Sequence, residues 1–368
     1  MSDRKKKKSN RGQIALVIVV CVIGALVMGV VIAAIAIRVS GKNKLKNQTV
    51  TAVPELVTEE AEELTKEEKK IWKDGWIKHD GRIYEYNDSI VTFLFMGIDK
   101  RDETVKEVEE GTNGGQADAL FLLVLDSKHR AVRVIAINRN TMVPVDVYND
   151  KGAYVDTVTA QINTQHGFGN GKEESCEYQL KAVENLFFNI PIHGYFAINM
   201  KAVIPLTDSV GGVDLTVLED VTTSGDHKKI FTKGETIHMD GETAYKYVSV
   251  RDTSVQASAN GRLEREKQYL QEVMAKIRTQ TKHDITTPLK IYNAISDQMV
   301  TNITAGELMY LVSSAGDYKF DAGEMYSMEG EYIAAEDNPD SEFDEFYADE
   351  DALKEMILEI FYDEVKID

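Results

Sequence analysis

The sequence predicts a single membrane span followed by a large extracellular domain that mixes strands and helices, and three observations carry that expectation. Residues 14–37 run for 24 positions without a charge, Pro, Asn or Gln. Short, mostly apolar runs at 90–96, 119–126 and 131–138 have the length and composition of buried strands. Apolar residues recur at helical spacing in 173–189, 261–277 and 349–362.

The apolar run is longer than the hydrophobic segment of a cleavable signal peptide. At 1.5 Å per residue it crosses a bilayer core of roughly 30 Å, so it reads as an uncleaved signal anchor. Arg4, Lys5, Lys6, Lys7, Lys8 and Arg11 precede it, against Arg38, Lys42, Lys44 and Lys46 beyond it. That bias places the tail 1–13 in the cytoplasm and nearly all the rest outside the cell membrane, where ATP is not at hand. The chain carries a formal charge of −19; its first 40 residues hold seven basic side chains against Asp3, so the remainder carries about −25. A surface so acidic argues against nucleic acid as a partner. Cys21 lies in the span and Cys176 outside it, so no disulfide forms within one chain.

Residues 38–70, polar and then acidic, read as a stalk. Residues 71–89 read as a small entry hairpin turning at Asp80-Gly81, with Trp72 and Trp76 as packing anchors. The main domain spans 90–280, and 281–368 is a helical, acidic C-terminal extension. Within the main domain the run IVTFLFM ends in Gly97-Ile98-Asp99, which delivers a carboxylate just past a buried strand; an ordinary turn aspartate looks the same. The next two runs form an antiparallel hairpin around 127–130. Opposed residues then have numbers summing to 257, which sets Asp118 against Arg139 at the open end, either as part of a site or as a cross-strand ion pair. Residues 156–170 read as a polar loop over that end, a candidate lid. Residues 173–189 are expected to form an amphipathic core helix. Tyr195–Asn199 and Val213–Val217 are expected strands around a helix at 201–209.

Tyr247–Gln268 reads as a strand-like run bearing Arg251, a polar loop, and a helix that opens with Arg262 and Arg265. Leu263, Leu270, Val273, Met274 and Ile277 are expected to face inward there, leaving Arg262 and Arg265 to a cleft or to solvent. Guanidinium forks near a helix N-terminus suit an anion, although Arg262 and Glu266, four apart, also suit a plain surface ion pair. Aspartates suggest a hard divalent cation and arginines suggest phosphate; together they suggest a metal–pyrophosphate site.

The motifs FMGIDKRD (95–102), GQADALFLLVLD (115–126), IAINRNT (135–141), DSVGGVDLTV (208–217), MDGETAYKYVSVRD (239–252) and NGRLEREKQ (260–268) resemble, in this order, those of the LytR-CpsA-Psr family of bacterial cell-envelope proteins. The resemblance implies an α/β domain with a central, partly antiparallel sheet flanked by helices. It also implies a phosphotransferase that moves a glycopolymer, of teichoic acid or capsular polysaccharide type, from undecaprenyl pyrophosphate to peptidoglycan. On that basis Asp99, Asp118 and Arg139 are catalytic, and Asp99 and Asp118 hold Mg²⁺ or Mn²⁺. Arg139, Arg251, Arg262 and Arg265 are then the pyrophosphate-binding arginines. Ser249, Glu266, Asn140, Asn138 and Gln116 depart from the family pattern. These departures keep alive a non-catalytic polyprenyl-pyrophosphate binder or scaffold, and a lipid pyrophosphatase, as alternatives.

Overall fold

The structure is a computed structural model that describes residues 64–99, 114–149, 151–223, 225–250, 265, 268–269, 272–273, 275–277, 279–281, 283–284, 286–304, 306–308, 325–334, 341 and 343–366. The expected tail and span, most of the expected stalk, and Arg251 and Arg262 lie outside the described residues. Among the described residues, no helix is long and apolar enough to cross a membrane.

In chain order the strands are β1 (Ile77–His79), β2 (Arg82–Tyr86), β3 (Ile90–Ile98), β4 (Ala117–Asp126), β5 (Ala131–Ile137), β6 (Met142–Tyr148), β7 (Tyr154–Gln161), β8 (Gly194–Asn199), β9 (Val213–Thr216), β10 (Val221–Thr222), β11 (Lys229–Phe231), β12 (Thr236–Met239), β13 (Met299–Thr301), β14 (Met325–Ser327), β15 (Gly330–Ile333), β16 (Glu345–Ala348) and β17 (Tyr362–Glu364). The main helices are α1 (Glu173–Leu186), α2 (Val203–Ser209), α3 (Gly241–Ser249), α4 (Thr287–Ile295) and α5 (Glu350–Phe361).

A mixed six-stranded sheet, ordered β13-β8-β3-β4-β5-β14, forms the middle layer. β3, β4 and β5 run antiparallel to their neighbours in that trio, while β8 joins β3 and β14 joins β5 in parallel. Both faces are covered, which is why these strands read as continuous apolar runs and not as alternating ones. Phe93, Phe95, Phe121, Leu123 and Phe196 point to one side, packed with α2, α3, α4 and the helical residues Tyr269, Val273 and Ile277. Leu94, Met96, Leu120, Leu122 and Ile135 point to the other, packed with α1 and α5. The result is the expected central sheet between helices.

Residues beyond 280 are part of this unit. β13 and β14 are the two edge strands, α5 fills one core, and β17 joins the entry hairpin in the order β1-β2-β17. The entry hairpin turns at Asp80-Gly81 with positive φ at both residues, and the rings of Trp72 and Trp76 meet edge to face at 6.0 Å.

Three expectations are corrected. Residues 156–170 are not a lid-like loop: β7 pairs with β6, and a 3-10 helix follows at Ile162–Phe168. Tyr247–Ser249 is not strand-like but the last turn of α3, whose N-cap Asp240 accepts from the Thr243 amide and whose Ala244, Tyr247 and Val248 face the core. The inward stripe of the following helix includes Arg265, Tyr269, Val273 and Ile277, four apart and all buried, so Arg265 faces neither cleft nor solvent.

Candidate active site

The site lies where β3 and β5 end and β4 begins. A bulge between Gly97 and Ile98 ends the β3–β4 ladder, and Asp99 locks onto the start of β4. Its amide donates to the Gln116 carbonyl (3.1 Å), and the Gln116 amide donates to Asp99 Oδ1 (3.0 Å). Asp118, the second residue of β4, is 3% exposed. The β4–β5 register runs from Leu120–Ile137 to Asp126–Ala131, each pair summing to 257, so Arg139 arrives opposite Asp118. It sits in a turn that Asn138 closes, the Asn140 amide donating to Asn138 Oδ1 (3.0 Å) and the Thr141 amide to the Asn138 carbonyl (3.0 Å).

An Arg139 guanidinium nitrogen donates to Asp118 Oδ1 at 2.7 Å, and Asn163 Nδ2 donates to the same oxygen at 3.1 Å. Asn163 comes from the 3-10 helix, pinned there by the Ile162 amide on the Thr141 carbonyl (2.8 Å) and by its own amide on the Arg139 carbonyl (3.3 Å). The other oxygen, Asp118 Oδ2, and Asn163 Oδ1 are buried with no hydrogen-bond partner. Burial pushes the Asp118 carboxyl above its usual range; Arg139 works against that shift and the nearby Asp99 charge adds to it. Two buried acceptors without donors each cost about 1–3 kcal/mol, which marks the spot as a place for a ligand.

A second wall comes from the C-terminal part. The Phe346 amide of β16 donates to the Asn140 carbonyl (2.9 Å), and Gln161 Nε2 bridges Asn140 Oδ1 (3.0 Å) and the Asp344 carbonyl (2.7 Å). Asn163 and this wall were missed in the sequence. The composition INTQHGFGNG signals a loop, and only long-range packing brings Asn163 to Asp118.

The structure thus brings Asp99, Asp118 and Arg139 together. Arg265 is 1% exposed, its Nε donating to Glu219 (3.1 Å) and its two other nitrogens to the Tyr247 and Val250 carbonyls, the latter at 2.9 Å. Tyr247 and Val250 close the end of α3, so the guanidinium supplies donors to a helix C-terminus that no glycine caps.

Comparison with known proteins fits this geometry. The teichoic acid transferase TagU of Bacillus anthracis is 28% identical over 218 residues, 59% of this chain and 62% of that protein. TagV of Bacillus subtilis, also named a teichoic acid transferase, is 29% identical over 223 residues, 59% of this chain and 50% of that protein. The chain therefore matches only about half to three-fifths of the length of these relatives. The crystal structure of B. subtilis TagV superposes with a TM-score of 0.51 at 26% identity, covering 74% of this chain and 96% of that one. A Streptococcus agalactiae protein gives a TM-score of 0.54 at 20% identity over 74% of this chain and 87% of its own, a likeness of fold alone. The model of the LytR_cpsA_psr family matches residues 49–358. On that match, with the fold it describes, the chain belongs to the LytR-CpsA-Psr family.

Proposed function

We propose that the chain is a membrane-anchored, extracellular phosphotransferase that moves a glycopolymer of teichoic acid or capsular type from undecaprenyl pyrophosphate to peptidoglycan. The observation that carries this reading is the buried Asp118–Arg139 pair beside Asp99, with one Asp118 oxygen unpartnered. The anchor is the apolar run 14–37, with the tail 1–13 cytoplasmic.

Asp118 Oδ2, Asn163 Oδ1 and the Asp99 carboxylate are hard oxygen donors of the kind that fits Mg²⁺ or Mn²⁺, and these residues would hold the ion. Such an ion supplies charge neutralisation to a pyrophosphate. The chain's own residues do the rest. Arg139, oriented by its ion pair with Asp118, brings its positive charge to the phosphate oxygens on which charge builds. The acceptor hydroxyl oxygen forms a bond to the sugar-bearing phosphorus, and the bridging bond to polyprenyl phosphate breaks. Asp99, partly exposed at the strand end, takes the hydroxyl proton on a carboxylate oxygen that the ion does not occupy. Arg251 and Arg262, outside the described residues, join the site only through the resemblance. Arg265 supports α3 and has protein partners.

The test incubates the detergent-solubilised full chain with a polyprenyl-pyrophosphate-linked sugar and follows release of polyprenyl phosphate with and without Mg²⁺. Metal-dependent release that Asp99→Ala and Arg139→Ala both abolish, and that peptidoglycan fragments turn into transfer, supports the reading. Tight lipid binding without release would instead identify a binder. Release into water unaffected by acceptor would identify a lipid pyrophosphatase.

A further inference from the structure

The site has a second wall whose chemistry is the opposite of the arginine side. β15 and β16 pair so that Tyr332 faces Phe346 across the ladder, and Asp344, two residues before Phe346, shares that face. The hairpin is held against the turn that carries Arg139. The Phe346 amide reaches the Asn140 carbonyl, a bridge joins Thr141 to Phe346, and Gln161 ties Asn140 to the Asp344 backbone. Phe346 is buried, whereas Tyr332 remains 53% exposed beside it. The Tyr332 hydroxyl bonds to the Asp344 carboxylate and feels the Arg139 charge; burial and Asp344 push the phenol up to about 12, so it stays a neutral donor.

A half-exposed aromatic ring beside a carboxylate has a definite preference. The carboxylate repels phosphate, so this wall does not suit the donor's pyrophosphate. The ring with its polar rim is a poor seat for a polyprenyl tail, which needs an apolar surface throughout. A flat ring next to hydroxyl-binding groups suits the apolar face of a sugar, whose hydroxyls can donate to the Asp344 carboxylate and to the Tyr332 phenol oxygen. Arg139 on one side and Tyr332–Asp344 on the other divide the site by charge into an anion side and a neutral saccharide side.

We propose that Tyr332 and Asp344 form the acceptor wall of the site, on which a sugar ring of the acceptor glycan strand stacks so that its hydroxyl meets the phosphorus held near Arg139. This rests on the transferase reading. Tyr332 and Asp344 are positioning residues, and their loss raises the acceptor KM while the binding of donor lipid is retained.

The test uses the full chain in lipid nanodiscs with a soluble peptidoglycan oligosaccharide of alternating N-acetylglucosamine and N-acetylmuramic acid, measuring its Kd by calorimetry and, in the release assay, its KM as acceptor. Tyr332→Ala and Asp344→Asn are each expected to weaken both constants at least tenfold. Tyr332→Phe, which keeps the ring and loses only the hydroxyl, falls between them and the wild type. Tyr347→Ala changes neither, because Tyr347 pairs with Glu331 and points to the opposite face of the hairpin. Thermal unfolding checks that each variant is folded. Wild-type-like oligosaccharide binding by Tyr332→Ala, an equal loss in Tyr347→Ala, or no binding by the wild type would overturn the acceptor wall. Oligosaccharide binding that depends on Tyr332 in a protein that releases no polyprenyl phosphate would keep the wall and overturn the transferase reading.

Discussion

Replacing Arg265 separates a structural arginine from a ligand-binding one. Its side chain is 2% exposed and makes three charge-assisted bonds, to Glu219 and to the Tyr247 and Val250 carbonyls, with the Tyr247 ring 5.5 Å from its guanidinium carbon. Arg265→Met fills similar volume but removes every donor. Glu219, 40% exposed, can turn to water, whereas the two carbonyls at the end of α3 lose a charged donor. At about 1–3 kcal/mol for each stranded carbonyl, less the desolvation no longer spent on a buried charge, the variant should lose about 2–4 kcal/mol. Arg265→Lys keeps the charge but lacks the planar fork that reaches three acceptors, and should lose about 1–3 kcal/mol. Urea unfolding of the full chain in detergent, followed by far-ultraviolet circular dichroism, reads both values. If Arg265→Met unfolds within 1 kcal/mol of the wild type yet fails to release polyprenyl phosphate, the side chain serves the ligand and the helix-end account is wrong.

Two further perturbations test the scaffold. His193 is buried, its Nδ1 accepts from the Thr92 amide at 3.1 Å, and burial holds the imidazole down at about 4 against an ordinary 6.5. The unfolded chain binds the extra proton first, so stability present above about pH 6.5 is lost as pH falls toward 4, by about 3 kcal/mol in all. Urea midpoints at pH 7, 5.5 and 4 should fall accordingly, and His193→Gln should flatten the part of the slope that His193 carries. Gly241→Ala would set a Cβ 2.3 Å from the Ile204 carbonyl oxygen, forcing α3 off α2 at a cost of roughly 1–3 kcal/mol. Gly81→Ala meets nothing within 4 Å and carries only the penalty of its positive φ, about 1 kcal/mol, so thermal melts should rank Gly241→Ala as the more damaging.

The site was legible where one local rule sufficed. The β4–β5 register follows from two mostly apolar runs and a four-residue loop, and no bulge intervenes between Leu120–Ile137 and Asp126–Ala131, so Arg139 could be set against Asp118 from the sequence. Legibility failed where composition and period disagreed. The run YVDTVTAQ carries the β-branched residues of a strand, but its polar, exposed character reads as a loop, and Asn163 was lost with it. YVSV looks like strand, yet Asp240 caps a helix four residues before Ala244, and tertiary packing of Ala244, Tyr247 and Val248 settles the matter. A rule that counts arginine as polar cannot place Arg265 in an inward stripe, since it is long-range partners such as Glu219, Tyr247 and Val250 that make its burial tolerable.

The part hardest to see was the contribution of the C-terminal quarter, because short strands such as Met299–Thr301 and Gly330–Ile333 have no periodicity of their own. Their meaning lies in what they close. Without β13 and β14, the edges of β8 and β5 would present unpaired backbone, and without α5 the face of Leu94, Leu120 and Leu122 would lose Leu353, Ile357 and Phe361. The same quarter lays β16 along Asn140, beside the arginine that pairs with Asp118. Folding and assembly of the site are therefore one event. A fragment ending near residue 280 would carry Asp99, Asp118 and Arg139 on a sheet with two open edges, so the proposed chemistry is to be judged on a piece that keeps the C-terminal quarter, and not on the segment bounded by the recognisable motifs.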